Sequence, residues 1–201
     1  PYQAWSQGQD EYARFWFPNH DFPNQRQTTE VIVETPGEFE TVSNGRLLSV
    51  EPQGKWKRWH WLQEVPHVSY LVSLVVGRFE RWEEVVDGVP VQYYVPPGRV
   101  ADGHRAFDET PTMMRLLAGL AGTPYPYVKY ASVVVQDFTW GGMENTSATT
   151  YIAELLPDVR IYAEAVRKAL AFPGFYNPKD FAKGMRLLEE GRARAGALAE
   201  G

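Results

Sequence analysis

The chain has 201 residues, 44% of them hydrophobic and 14% aromatic, with a formal net charge of −5. That composition is globular rather than disordered, and an acidic balance with no Lys/Arg cluster excludes a nucleic-acid footprint. Cysteine is absent, which excludes disulfides and thiolate-held metals, and neither a transmembrane run nor a signal-peptide pattern occurs in a sequence that starts at Pro1, so the compartment stays open.

Residues 1–79 are expected to be β structure. Thr29-Glu30-Val31-Ile32-Val33-Glu34-Thr35 alternates with period two, as a half-buried strand does, and Pro36-Gly37 breaks it. Asn44-Gly45 is a tight-turn signal, followed by the strand Leu47-Leu48-Ser49-Val50. Residues 57–62 form another predicted strand, with Trp59 and Trp61 on one face. Residues 68–76 are mostly apolar and β-branched, as a strand buried on both faces would be.

Beyond Gly77 the pattern changes. Residues 89–95 are one more predicted strand, closed by Pro96-Pro97-Gly98. Met113, Leu116, Leu117 and Leu120 fall at i, i+3, i+4 and i+7, one apolar helical stripe. Thr110-Pro111 opens or kinks that helix, and Gly122 with Pro124-Tyr125-Pro126 ends it. Ala131-Ser132-Val133-Val134-Val135 is a predicted buried strand that runs toward a glycine-rich edge. Strand, helix and strand in this order make a mixed α/β pattern. From Pro157 a helix pair is expected. Asp158 caps the first helix, with Val159, Tyr162, Val166 and Leu170 as its stripe. Asn177 caps the second, with Phe181, Met185 and Leu188 on one face, and Glu189-Glu190 lies on a solvated face.

The glycine-rich edge is Trp140-Gly141-Gly142-Met143-Glu144-Asn145. Two adjacent glycines let another backbone approach closely, or supply an unusual φ. A bare edge strand can accept an extended peptide as an added strand, and Glu144 beside it could hold a free peptide amine by a charge-assisted hydrogen bond. The plainer alternative is a Gly-Gly turn with Glu144 solvated, and spacing alone leaves both open.

Phe138-Thr139-Trp140-Gly141-Gly142-Met143-Glu144-Asn145 resembles the G-[A/G]-M-E-N exopeptidase signature of the zinc aminopeptidases, the gluzincin family of aminopeptidase N and leukotriene hydrolase. Thr110-Pro111-Thr112-Met113, Gly122 to Pro126, Lys129-Tyr130, Asp137-Phe138 and Asn145 to Thr150 follow that family's order. So does the early block from Gln7 to Pro23, and the likeness runs to about Leu156. The resemblance implies an α+β fold: a partial, saddle-like all-β domain over residues 1–79, then the start of a thermolysin-like α/β catalytic domain over residues 80–157. A divergent tail, the helix pair of residues 158–201, would follow. It also implies a substrate site. Glu144 would bind the α-ammonium of a peptide with a free N-terminus, and Gln9 of the early block would also contact the amine. Gly141 and Gly142 would line the peptide, Met143 would shape the first side-chain pocket, and Asn145 would support the loop. Asn19 and His20 depart from the family's usual residues in the early block, which touches local packing.

The family's cofactor is zinc, held by H-E-x-x-H and a further Glu, with the Glu of the motif as general base. No such motif occurs here. The four histidines, His20, His60, His67 and His104, include no i, i+4 pair, and none precedes Glu. They are expected to be packing or surface residues. No catalytic and no metal-ligating residue is therefore assigned, no cofactor is expected in this chain, and the chain is expected to be truncated before the zinc motif and inactive alone. Two other readings stand beside this one: a non-catalytic module that binds peptide N-termini or serves as an interaction surface, and a recombined frame without an independent fold. Unpaired sheet edges in residues 1–79 give a route to self-association.

Overall fold

The alternating residues of the first half build two small antiparallel sheets, and the more continuously apolar second half builds a larger one. The computed structural model describes residues 3–155, which lie within one compact unit, Pro1–Val159. In chain order the strands are β1 (Ala4–Trp5), β2 (Arg26–Pro36), β3 (Glu40–Ser43), β4 (Arg46–Gln53), β5 (Trp56–Val68), β6 (Leu74–Gly77), β7 (Glu80–Val86) and β8 (Val89–Val95). Two helical pieces, α1 (Val100–Phe107) and α2 (Thr110–Ala121), come next, followed by β9 (Tyr130–Val135), β10 (Gly142–Met143) and β11 (Ala148–Ile152). One three-stranded sheet has the order β2-β5-β4 and the other the order β1-β6-β3. The five-stranded sheet has the order β10-β11-β9-β8-β7, so β10 and β7 are its edges.

In the β2-β5-β4 sheet, Trp59 and Trp61 point to one face and are buried, as their spacing predicts. Each indole N–H finds a hydroxyl: Trp59 Nε1 donates to Thr35 Oγ1 at 3.0 Å and Trp61 Nε1 to Thr41 Oγ1 at 2.9 Å. The tryptophans thus bury large apolar area without orphaning a polar atom. The two-residue hairpin turn is Gly54-Lys55, between β4 and β5, and not Asn44-Gly45. Asn44 is 2% exposed, and its peptide passes the chain from the β1-β6-β3 sheet to the β2-β5-β4 sheet.

The expected single strand over residues 68–76 is broken. Residues Ser69–Leu71 form one 3-10 turn between β5 and β6. Two serines make the break, because each has its own polar partner: Ser69 Oγ donates to Asp21 Oδ1 at 2.7 Å, and the Ser73 N–H donates to Asn44 Oδ1 at 2.7 Å.

The five-stranded sheet is buried on both faces. Val42 and Val75 of the β1-β6-β3 sheet pack with Tyr94, Ala131, Val133, Val135, Met143 and Ala148 on one face. Ala106 and Phe107 of α1 pack with Val91, Tyr93, Val95 and Val134 on the other. Strands β8, β9 and β11 run parallel, and the helices lie in the crossover from β8 to β9. This is the βαβ arrangement that parallel pairing requires.

The expected fold class needs correction. Helix among the described residues is confined to one bent segment: α2 opens at Thr110-Pro111 as expected, and α1 precedes it from Val100. It is not a C-terminal helix pair; residues 158–201, where that pair was expected, lie outside the described residues. The stripe of α2 is also rotated. Leu117 is 63% exposed and Leu120 is 72% exposed, while Thr110 is buried and Met114 packs on the core. The inward face runs Thr110, Met114, Ala118, about one residue away from the leucine stripe. Small residues hide that face from a hydrophobicity count. Gly122 ends the helix as expected; it does so at φ 65°, in the left-handed conformation, and Thr123 N–H donates to Ala118 O.

Candidate functional site

Gly141 to Asn145 lie at the β10 edge of the five-stranded sheet. Among the described residues β10 pairs with β11 on one side only, Gly142 opposite Tyr151 and Met143 opposite Thr150. The Ile152 N–H donates to Gly141 O at 3.2 Å. By the alternation of an antiparallel ladder, Gly142 then sits in a non-hydrogen-bonded pair, and its N–H and C=O face the open edge. That pairing also explains the residue type. A Cβ on Gly142 would come within 3.3 Å of the Tyr151 ring, so the glycine makes room for Tyr151 as well as baring the backbone.

The other predicted residues fall into two environments. Gly141, Gly142 and Glu144 are exposed, and Glu144 makes no ion pair among the described residues. Met143 is 2% exposed and belongs to the core, packed among Val42, Val75 and Phe138 rather than standing in an open pocket. Asn145 is also buried. Its Nδ2 donates to Thr150 Oγ1 at 3.2 Å and its carbonyl accepts from Ala148 N–H at 3.1 Å, which fastens the end of the signature to β11.

Gln9 is exposed on the loop after β1, and no hydrogen bond joins it to Glu144. Both regions nevertheless rest on the same support, the Ser69–Leu71 turn. A Cβ on Gly8 would meet Tyr70 Cα and O at 3.1 Å, so the chain beside Gln9 lies flat on that turn. Asp21 holds the far end of the loop: it accepts from the Arg14 N–H at 2.9 Å and from Ser69 Oγ at 2.7 Å. Although desolvation alone would raise it, the hydrogen bonds from the Arg14 backbone, Ser69 and the Arg14 side chain leave this carboxyl below its usual range. From the other side, the Thr146 N–H donates to Leu71 O at 3.2 Å.

Three residues next to this support, Asn44, Lys129 and Ser147, lie within sequence motifs but carry no site role in the sequence reading. Lys129 is 5% exposed, and its Nζ donates to Ser43 O at 2.9 Å and Ser147 O at 3.0 Å. Burial lowers its ammonium to about 7, since no carboxylate among the described residues offsets the desolvation. The available signal was a lysine set directly before the apolar run of β9, a place where an exposed cation is out of keeping with its neighbours.

The histidines do not converge. His60 bonds Glu30 Oε1 at 2.6 Å, His67 bonds Thr29 Oγ1 at 2.8 Å, and His104 stacks on Trp82 at 4.4 Å between ring centroids. Among the described residues no group of three His, Asp or Glu side chains could hold a metal ion. The described residues therefore do not fit a zinc site. Among the described residues, no helix is long and apolar enough to cross a membrane.

Comparison with known proteins bears on the family. The Peptidase M1 N-terminal domain matches residues 1–71, and the Peptidase family M1 domain matches residues 105–171. Aminopeptidase M1-D of Oryza sativa subsp. japonica is 32% identical over 140 residues, which is 69% of this chain and 16% of that protein. Aminopeptidase M1 of Arabidopsis thaliana is 32% identical over 141 residues, and glutamyl aminopeptidase of Mus musculus is 29% identical over 141 residues, in each case 69% of this chain and 16% and 15% of the relative. The chain spans about one-sixth of the length of the relatives it matches. Two matched domains in the family's order, with aminopeptidase relatives aligned across them, place the chain over about 69% of its length in peptidase family M1.

Proposed function

We propose that this chain carries the amine anchor of an M1 metallo-aminopeptidase, the part that holds a peptide by its free N-terminus. The observation that carries the reading is the open edge of β10, with the N–H and C=O of Gly142 turned outward and an exposed carboxylate, Glu144, two residues on. An extended peptide adds to that edge as a strand, and its α-ammonium reaches Glu144. Gln9 supplies a carboxamide acceptor to the same amine from the neighbouring loop. A charge-assisted bond of this kind contributes about 1.5–3 kcal/mol, against about 1 kcal/mol for a neutral backbone bond, so the carboxylate dominates recognition. Gly141 lines the path, Asn145 steadies the loop, and Met143 bounds the first side-chain subsite from within the core.

The division into residues 1–79, 80–157 and 158–201 is part of this proposal. In its support, every strand of the two three-stranded sheets ends by Gly77, and every strand of the five-stranded sheet starts at Glu80 or later. With no H-E-x-x-H in the sequence, this chain is proposed to anchor peptides without hydrolysing them. Turnover of an alanyl chromogenic substrate by the purified chain, abolished by a chelator, would contradict that part. Amide chemical-shift mapping with a free-amine alanyl peptide tests the anchor. Shifts at Gly141, Gly142, Glu144 and Gln9 are expected, and shifts confined to other strands count against it. Self-association is a second reading for the outer strands, because β2 is an 11-residue strand at a sheet edge.

A further inference from the structure

Three consecutive residues, Ser43-Asn44-Gly45, are tied to the two residues that follow the signature: Asn44 to Thr146, Gly45 to Ser147, and Ser43 to Ser147 through Lys129. Asn44 Nδ2 donates to Thr146 O at 2.6 Å and to Leu71 O at 2.9 Å, while its Oδ1 accepts from the Ser73 N–H at 2.7 Å. The Gly45 N–H donates to Ser147 Oγ at 2.8 Å. Lys129 Nζ bridges the Ser43 and Ser147 carbonyls, with the Trp61 ring centroid 5.4 Å away. All of these side chains are at most 5% exposed. The backbone is specialised as well. Ser147 has φ 60°, and Gly45 has φ 72° with Leu62 O only 2.0 Å from where a Cβ would stand. Only glycine fits there.

A buried ammonium without a carboxylate partner among the described residues is an expensive way to fill space, and an apolar residue of similar size would serve stability as well or better. Its geometry serves something else. It ties the Thr146-Ser147 turn, and so Gly142 to Glu144, to β3, while Asn44 ties the same turn to Leu71. The Leu71 turn also carries the loop that holds Gln9, through Ser69 to Asp21 and through Gly8 on Tyr70. We propose that Asn44 and Lys129 are positioning residues that set Glu144 at a fixed distance from Gln9 through the shared Ser69–Leu71 turn. The assembly works whether Lys129 is charged or neutral, since an amine has two N–H groups for the two carbonyls. The role of this clamp in peptide recognition rests on the anchor reading of Glu144 and Gln9; the clamp itself is visible in backbone protection with no ligand present.

The test is amide hydrogen exchange on the full chain, wild type and Lys129→Met, together with the affinity of each for a free-amine alanyl peptide. Lys129→Met is expected to unfold cooperatively with undiminished stability. The amides of Thr146 and Ala148 are expected to exchange about tenfold faster while those of β2 and β5 do not change, and peptide affinity falls by about tenfold. Lys129→Arg, which keeps two donors, should recover part of both. Unchanged exchange at Thr146 and Ala148 overturns the clamp. Faster exchange with unchanged peptide affinity overturns its positioning role. A wild-type chain that binds no peptide sinks the anchor reading instead, and leaves the exchange result to judge the clamp alone. Should Lys129→Met fail to fold, Ser147→Ala, which removes only the acceptor of the Gly45 N–H, is judged by the same two readouts.

Discussion

The signature edge and the clamp behind it are built on opposite principles. At the edge, Gly141, Gly142 and Glu144 are exposed, and no strand among the described residues pairs with the outward side of Gly142. In the clamp, a few residues away in sequence, Thr146 and Ser147 are buried and receive bonds from Asn44, Gly45 and Lys129. An edge that must offer unpaired groups to a ligand cannot also hold itself in place. Its rigidity has to come from the segment that follows it, and here that segment is fixed by the Asn44 side chain and the Gly45 N–H, about a hundred residues away in sequence. The comparison teaches that recognition and rigidity are separated along the chain while adjacent in space, so mutations should separate them too.

The largest effect is expected at Gly45. Gly45→Ala puts a methyl 2.0 Å from Leu62 O on a backbone at φ 72°. Overlap with backbone cannot be relieved by a rotamer change, so a loss of about 4 kcal/mol or more in urea unfolding is expected. A change below about 1 kcal/mol would mean the clamp is looser than described.

Next comes pH. Lys129 has a native value of about 7 against an ordinary value of 10.5. Between those values the unfolded chain holds a proton that the native chain has released, so stability rises with pH from about 7 toward 10, by an amount on the order of 4 kcal/mol. Lys129→Met should remove the rise. His67 gives the same sign at lower pH. Burial lowers it to about 4, so its contribution is present above the unfolded value near 6.5 and is lost as pH falls to about 4. Thermal midpoints from pH 4 to 9.5 check both slopes, and a flat profile in the wild type would contradict them.

A third substitution sharpens the comparison from the far face of the sheet. A Cβ on Gly103 would lie 2.5 Å from Trp82 Cη2 and 2.9 Å from Val95 Cγ1, where α1 packs on β7 and β8. Gly103→Ala should cost about 1–3 kcal/mol by overpacking, yet leave peptide affinity unchanged because it touches neither edge nor clamp. Smallest in stability is Glu144→Gln. The side chain is exposed, so the change should fall within about 0.5 kcal/mol, as expected of a surface site.

Much of the strand pattern could be read in the sequence, because alternation and β-branching report burial directly. Residues 89–95 form β8 as expected, and the two tryptophans of β5 share the predicted buried face. Two of the differences share one cause. Asn44-Gly45 looked like a solvated turn because Asn and Gly are turn formers; whether an Asn side chain is buried depends on acceptors from distant segments, and no local pattern carries that information. The break at Ser69–Leu71 was hidden for the same reason, since Ser69 and Ser73 are polar only with respect to partners at Asp21 and Asn44. The α2 face was misread because its inward residues, Thr110 and Ala118, are small and weakly hydrophobic. For the site, Gly141 to Asn145 could be read as one motif, whereas Lys129 could not, because a lysine's burial is set by the packing of Trp61, Ser43 and Ser147 around it.

The central claim is that Glu144 holds a peptide amine at the β10 edge. Calorimetric titration of the wild-type chain and Glu144→Gln with an alanyl peptide and its N-acetylated twin tests it most directly. The account predicts binding of the free-amine peptide alone, weakened by about tenfold or more in Glu144→Gln, as loss of a charge-assisted bond requires. Equal affinity of the wild-type chain for the free and acetylated peptides would contradict it.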